Sequence, residues 1–201
     1  GTTSDIVTDA LTAFNLKAAD ATHFSDVLAT AASNANTTVS GMGETFKYVG
    51  SMAGSLGYSI EDVALATGLM ANAGIKNSMA GTSLNAMFTR LSTNTSGAAD
   101  AIRNLGVEFY NQDGSARKWS DVMGGLRKAT AEMSAEDKSA LANKVAGMEA
   151  QKGLLAILNA SEADYKKLSN AIGNADGASK RMADTMQDNL SGKFTLFKSA
   201  L

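Results

Sequence analysis

The side chain best suited to acid–base chemistry at neutral pH occurs once in this chain, as His23, and the sequence has no cysteine. A metal centre built from nitrogen or sulfur ligands needs several such side chains, so His23 lacks a second imidazole or thiolate to share an ion with. His23 directly precedes Phe24, which begins an apolar helical face. We therefore interpret His23 as a surface residue at the start of a helix and predict no catalytic role for it.

Carboxylates offer the other route to acid–base catalysis, and Glu61 and Asp62 are adjacent in the sequence. Adjacent residues of a helix do not face each other, so these two carboxylates would not share one site. Ser59, followed three residues later by Asp62, is typical of the capping box that begins a helix. Capping therefore explains this pair better than catalysis does.

Two groups of glycines resemble the beginnings of ligand-binding loops. Gly41 and Gly43 start like a dinucleotide fingerprint, but Phe46 stands where the third glycine belongs and no predicted strand precedes them. The glycines at positions 50, 54 and 57 lack the Lys-Ser/Thr ending of a phosphate-binding loop. Close helix contacts and a helix end explain them better, so the sequence predicts no cofactor-binding, metal-binding or catalytic residue.

The elements around these residues follow from the spacing of apolar side chains, which recur at intervals of three and four as in an α-helix. The helix that begins after Ser59 is apolar nearly all round, which predicts a position in the centre of the packing. Gly74 is placed to end this helix in the left-handed conformation. Other apolar faces begin at Ile6, Phe24, Met42, Leu84, Trp119, Leu141, Leu154 and Tyr165.

Residues 107–118 differ from the rest, because Val107 and Phe109 favour strands and Asp113 followed by Gly114 is a strong turn signal. We predict a small β-hairpin or an ordered loop here. A calcium-binding loop is the other interpretation of the turn. It fails because placing Gly114 at the sixth position puts Phe109 at the first, where Asp belongs.

The last segment carries apolar residues spaced mostly by four, which predicts a long C-terminal helix that continues past the end of the chain. These residues are Met182, Met186, Leu190, Phe194, Phe197 and Leu201. Met182 and Met186 fit an ordinary core, with an adaptable contact surface as the alternative. The patterns together predict an all-α fold: a multi-helix domain of short to medium helices, with room for a small β-hairpin near residues 107–118 and a long C-terminal helix.

Composition sets the remaining limits. Hydrophobic residues make up 44% and charged residues 19% of the 201 residues, as in a globular chain, and there is no proline to break a helix rigidly. This length suffices for one substantial core or two small ones. We expect one domain over residues 1–201, with a division into 1–97 and 98–201 as the alternative. Because the chain starts at Gly1 rather than Met, we also expect a fragment of a longer protein.

Charge and hydropathy exclude two classes of partner from the prediction. The net charge is −2 and no stretch forms a basic stripe, which argues against sequence-specific binding to nucleic acid. The longest strongly apolar run without charge, residues 63–75, is shorter than the roughly 20 residues that a membrane-spanning helix needs. We therefore predict no membrane span.

An ordered series of short segments is distinctive. It consists of GETFKYVG at 43–50, LGYSIED at 56–62, AGIK at 73–76 and SMAGTSL at 78–84, preceded by NTTV at 36–39 and followed by LGV at 105–107, the Asp113–Gly114 turn and LSG at 190–192. This series resembles the conserved core domain of phage tail tape measure proteins, from about residue 21 onward. The family often has proline where this chain has Ser51, and again where it has residues 117–119.

The resemblance implies a structural protein of a phage or prophage tail, not an enzyme, that templates tube length during assembly and leaves when DNA is ejected. Implied partners are other copies of the chain, the tail tube protein, tail assembly chaperones and tail tip proteins. The implied location is the lumen of the tail tube in the virion and the host cytoplasm during assembly. The resemblance implies no cofactor and supplies no catalytic residue.

Two alternatives stay open at this point. The first is a murein-cleaving tail enzyme, in which a carboxylate such as Glu44 or Glu108 would be the general acid. The second is a membrane-inserting module that uses the helix over residues 63–75.

Overall fold

The chain folds almost entirely into α-helices. A computed structural model describes the backbone of residues 2–93 and 95–199, and the side chains of residues 5–93 and 95–189. Eleven α-helices run through this described part of the chain. They are α1 (Thr2–Ala13), α2 (Ala21–Asn34), α3 (Val39–Ser55), α4 (Ile60–Asn72), α5 (Asn77–Ser92), α6 (Ala98–Arg103), α7 (Trp119–Ala129), α8 (Ala135–Ala146), α9 (Gln151–Asn159), α10 (Glu162–Gly173) and α11 (Ala178–Ser199). The all-α prediction is confirmed.

Serine side chains begin three of these helices. Ser59, Ser134 and Ser161 each accept a hydrogen bond from the backbone N–H of the aspartate three residues on. At α4 the capping box is complete, because the carboxylate of Asp62 accepts from the N–H of Ser59 in return. The predicted capping box is therefore confirmed. Gly74, just beyond α4, has φ +86°, which confirms the predicted left-handed residue after this helix.

α4 lies at the centre of the packing, as its apolar sequence predicts. Ile60 and every residue from Asp62 to Ala71 are buried. The helix packs against α2, α3, α5, α7, α9 and α10. One hydrophobic cluster extends from Ile6 to Ala175 around it, so the helices on both sides of position 97 share the same core.

Glycines let several helices approach closely. A side chain on Gly81 of α5 would place its Cβ 2.6 Å from the carbonyl oxygen of Thr45 and 2.6 Å from the Cβ of Tyr48, both in α3. A Cβ on Gly54 of α3 would overlap the carbonyl oxygen of Ala13 in α1. The close packing of α1, α3 and α5 therefore depends on the absence of side chains at these positions.

An aromatic cluster joins the two halves of the sequence. The ring of Trp119, at the start of α7, lies 4.9 Å from that of Phe88 in α5 and 5.5 Å from that of Tyr58 before α4. Both contacts are edge-to-face, the arrangement that the charge distribution of aromatic rings favours. The cluster thus fastens α7 to helices more than 30 residues earlier in the chain.

The small β-hairpin near residues 107–118 is not supported. The described residues there contain no strand and only one isolated antiparallel bridge, between Tyr110 and Ala116. Val107 and Phe109, which favour strands, instead bury their side chains in the helical core. Within the described chain no third strand pairs with this segment, and two short strands alone are marginal in water. The turn at Asp113 and Gly114 does form, with Gly114 at φ +82°.

The C-terminal helix α11 is the longest, with 22 residues. Met182 is half-buried, but Met186 is 67% exposed, so the interpretation of Met186 as core is wrong. The side chains of Leu190, Phe194, Phe197 and Leu201, and the LSG segment at 190–192, lie outside those that the structure describes.

Candidate functional site

Three charged side chains are buried in the described part of the chain, and each binds the end of a different helix. They are Asp26 in α2, Asp62 in α4 and Arg127 in α7. Desolvating a charge is costly unless hydrogen bonds compensate for it. The backbone groups at helix ends supply those bonds, because they have no partner within their own helix. We call these three contacts the helix-end junctions.

Asp26 forms the junction to the N-terminus of α11. It is 3% exposed, and its carboxylate accepts hydrogen bonds from the backbone N–H groups of Gly177 (2.7 Å) and Ser179 (2.8 Å), and from the Ser179 hydroxyl. Burial acts to raise the pKa of Asp26, but these hydrogen bonds outweigh it and hold the pKa below its ordinary value. The carboxylate therefore stays charged and caps a helix that begins about 150 residues later.

Asp62 and Arg127 form the other two junctions. One carboxylate oxygen of Asp62 accepts from the backbone N–H of Ser120, in the first turn of α7, at 2.9 Å. The Arg127 guanidinium donates to the carbonyl oxygen of Ile157, in the last turn of α9, at 2.7 Å and lies 4.6 Å from the ring centre of Tyr165. Acids thus occupy helix N-termini and the cation a C-terminus, which is the favourable arrangement for helix dipoles.

His23 lies one helical turn before Asp26 and links three elements. Its Nε2 is 2.6 Å from Oε1 of Glu61 in α4, and its Nδ1 is 3.0 Å from Oδ1 of Asp176, just before α11. A neutral imidazole donates from only one nitrogen, whereas the imidazolium donates from both. Two carboxylate partners therefore favour the protonated ring.

The pKa values around His23 agree with this geometry. The hydrogen bond to Glu61 raises the pKa of His23 above its ordinary 6.5 against the opposing effect of burial, and Asp176 adds to the rise. Burial acts to raise the pKa of Glu61, but the hydrogen bond from His23 contributes to a net decrease. The side chain of Asp176 is 91% exposed, so its pairing with His23 is the weaker of the two.

Two clefts flank α11. One has a volume of about 520 Å³ and lies between α11, α2 and the end of α10, with Asn34 and Arg181 in its lining. The other has a volume of about 220 Å³ and is more apolar, with Ile6, Leu28 and Met182 in its lining. The last helix is therefore seated on α2 with open space along both sides.

Of the residues weighed for catalysis, the structure brings His23 and Glu61 together, whereas the two carboxylates considered as a general acid lie on separate elements. Glu44 lies on α3 and pairs with Lys47 at 3.7 Å, while Glu108 is exposed on the loop after α6. In the described residues no group of three or more His, Cys, Asp or Glu side chains could hold a metal ion. His23 does lie at a helix start, near the first residue of α2.

The segment considered for membrane insertion, residues 63–75, comprises residues 63–72 of the buried helix α4 and the three residues that follow it. Across the part of the chain that the structure describes, none of the helices is both long enough and apolar enough to cross a membrane.

The sequence did not reveal the junctions, because their partners are far apart along the chain. Asp26 and Ser179 are separated by 153 residues, and Asp62 and Ser120 by 58. One signal was present. Asp26 directly precedes Val27, Leu28 and Ala29, three consecutive apolar residues that cover more than one side of a helix, and a carboxylate that is buried beside such residues needs a polar partner.

The described residues form a helical domain whose three buried charges hold helix ends together, which is the arrangement of a structural domain. The chain belongs to the phage-related minor tail protein family, whose sequence model matches residues 1–147. The resemblance to phage tail tape measure proteins is confirmed by two relatives. No solved structure matches the chain.

The chain is 39% identical over 190 residues to the tape measure protein of Pneumococcus phage Dp-1, covering 94% of this chain and 16% of that protein. It is 29% identical over 191 residues to the probable tape measure protein of Escherichia phage P2, covering 94% of this chain and 23% of that protein. The chain thus spans less than a quarter of the length of these two relatives.

Proposed function

We propose that the chain is a structural segment of a tail tape measure protein, which templates the length of the tail tube during assembly and leaves when DNA is ejected. The observation that carries this proposal is the 39% identity to the Dp-1 tape measure protein over 94% of the chain. The structure supports it because the buried charges are committed to holding helices together.

The physical contribution of this segment to tail length follows from its fold. As one continuous helix, 201 residues would span roughly 300 Å. As a single packed domain over residues 1–201, the chain would have a radius of gyration of about 16–17 Å. The shared core of the helices on both sides of position 97 supports one domain over a division into 1–97 and 98–201. We propose that the segment adds a short, fixed length to the part of the tape measure protein that sets tail length.

The proposed partners are other copies of the chain, the tail tube protein, tail assembly chaperones and tail tip proteins. The proposed location is the lumen of the tube in the virion, after assembly in the host cytoplasm. A particle that carries an epitope in the exposed loop at residues 111–114 tests the location. Gold-labelled antibody should reach the epitope after ejection but not in intact tails. Labelling on the outside of intact tails would contradict the proposal.

We further propose that this segment has no enzymatic activity of its own. Zymography of the purified chain on murein should show no clearing. Clearing that disappears in Glu44→Gln or Glu108→Gln would identify a murein-cleaving enzyme instead. In the same way, dye release from liposomes by the purified chain would favour the membrane-inserting alternative, and we expect none.

A further inference from the structure

The attachment of α11 is concentrated at its first turn. Asp26 caps that turn through Gly177 and Ser179, and His23, one turn earlier on the same helix, contacts Asp176. The Arg181 guanidinium donates to the carbonyl oxygen of Asp176 at 3.0 Å and braces the same turn from within α11. One helix, α2, therefore supplies both side chains that hold the start of α11.

From Ala183 to Asn189, the last of its residues whose side chains the structure describes, α11 is weakly attached. Its main packing partner is α2. From Ala183 to Asn189 every side chain is exposed, Met186 by 67%. The clefts of about 520 and 220 Å³ on its two sides show that neighbouring helices do not close around it. An element with few buried apolar contacts opens at low free-energy cost.

The body beneath α11 does not depend on it in the same way. Phe24, Val27 and Leu28 of α2 are almost completely buried in the main cluster. α2 packs against α1, α3, α4 and α10 as well as α11. Departure of α11 would therefore leave α2 supported by four other helices.

From these contacts we infer that α11 is a hinged arm, which leaves the body as a unit while the other helices stay folded, and that Asp26 and His23 of α2 are its latch. Departure would enlarge the apolar cleft lined by Leu28, Ala29 and Val7. This inference goes beyond the proposed function and does not depend on it, because it concerns a motion of the chain itself.

The charged groups around the latch determine how it responds to pH. His23 faces Glu61 on α4, Asp176 before α11 and Asp26 on its own helix, and Asp20 lines the same small cavity as the imidazole. The pKa of His23 is raised mainly by Glu61 on α4 and further by Asp176, and only the contact with Asp176 belongs to the latch. The stabilisation from that contact is fully present below pH 6.5 and is lost as the pH rises through the folded-state pKa. With its lowered pKa, Asp26 stabilises the attachment of α11 above pH 3.8, and this stabilisation is lost as the pH falls through the folded-state pKa. The latch should be strongest between these two limits.

Hydrogen exchange of the full chain tests the inference, with the amides of residues 180–189 reporting on the arm and those of residues 63–70 in α4 on the body. Asp26→Asn replaces one acceptor oxygen with an amide group that donates, so one of the hydrogen bonds from Gly177 and Ser179 is lost. We expect exchange of the arm amides to accelerate at least about fivefold, which is the effect of one lost hydrogen bond of typical strength. The α4 amides should change by less than about twofold. The control Asp184→Asn removes a carboxylate from the exposed Lys180–Asp184 pair on the same arm and should leave both sets unchanged.

A second variant guards against an Asp26→Asn chain that fails to fold. Ser179→Ala removes one hydrogen bond to Asp26 and leaves the carboxylate in place, and it should accelerate the arm amides by a smaller factor. Selective acceleration of the arm in either folded variant supports the latch. Equal acceleration of arm and α4, or no change in the arm in both variants, would overturn it.

Discussion

The carboxylate of Asp62 accepts a hydrogen bond from the backbone N–H of Ser120 at 2.9 Å, and so one side chain caps two helices, its own α4 and the distant α7. The cap on α4 involves residues that are three positions apart, so the sequence predicts it. The cap on α7 exists only in the folded chain, where it positions Trp119 against Phe88.

The double cap predicts an unequal cost for two similar substitutions. Asp62→Ala should lower the free energy of unfolding by roughly 2–3 kcal/mol, because it removes a cap and leaves the Ser120 N–H unpaired. Asp137→Ala, which removes an exposed carboxylate that accepts from Ser134 at α8, should lower it by less than about 1 kcal/mol. Urea denaturation of both variants measures the difference, and equal costs would show that the contact with Ser120 contributes nothing.

Close helix packing predicts that Gly81→Val damages the fold more than Gly125→Val. A Cβ at Gly81 would lie 2.6 Å from the Thr45 carbonyl oxygen, which is backbone and cannot move aside cheaply. At Gly125 the nearest atoms belong to the Val107 side chain, at 3.5 Å, an ordinary contact. We expect a loss of at least about 3 kcal/mol for the first variant. The second should change stability by less than about 1 kcal/mol. Thermal denaturation decides, and equal melting temperatures would refute the argument.

The buried guanidinium at the third junction predicts that lysine cannot replace arginine there. Arg127→Lys should cost about 1–3 kcal/mol, because an ammonium group cannot lie flat on the Tyr165 ring while it also bonds to the Ile157 carbonyl. Arg103→Lys, at an exposed pair with Asp100, serves as the control and should be neutral within about 0.5 kcal/mol. Chemical denaturation of both variants provides the comparison; a neutral Arg127→Lys would mean that only the charge matters.

The pair of His23 and Glu61 predicts that the free energy of unfolding depends on pH near neutrality. This dependence can be assigned to His23, because the chain has one histidine. Relative to His23→Gln, the wild-type chain should be more stable at pH 5.5, and the difference should decline as the pH rises above 6.5. With the imidazole 43% exposed, the difference should be at most about 1 kcal/mol. Urea denaturation from pH 5.5 to 8.5 measures it. A difference that stays constant or grows with pH would exclude the charged pair.

Local patterns explain how much of this fold was predictable. The capping box at Ser59, the turn residue Gly74 and the central helix α4 depend on residues close together in the sequence, and all three were predicted. Gly81 shows the limit of this reasoning. It lies inside α5, where the contact with Thr45 requires the glycine, and no pattern of neighbouring residues predicts that contact.

The candidate site was harder to predict for the same physical reason. Glu61 is explained by capping in sequence, and only the fold brings His23 to within 2.6 Å of it. The predicted hairpin is not supported because the burial of Phe109 in a helical core outweighs the preference of this residue for strands. Met186 fits an apolar helical face, but the described part of the structure places no helix over it.

Tail length tests the central claim, that this chain is a packed module of fixed span within a tape measure protein. In a phage carrying this protein, an insertion of about 21 residues after Gln112, in the exposed loop, should leave the average tail length in electron micrographs unchanged. The same insertion as helical heptads in a part of the protein that forms an extended helix should lengthen tails by roughly 30 Å. If both insertions lengthened tails by that amount, the account would be contradicted, because these residues would then form part of the extended helix that sets tail length.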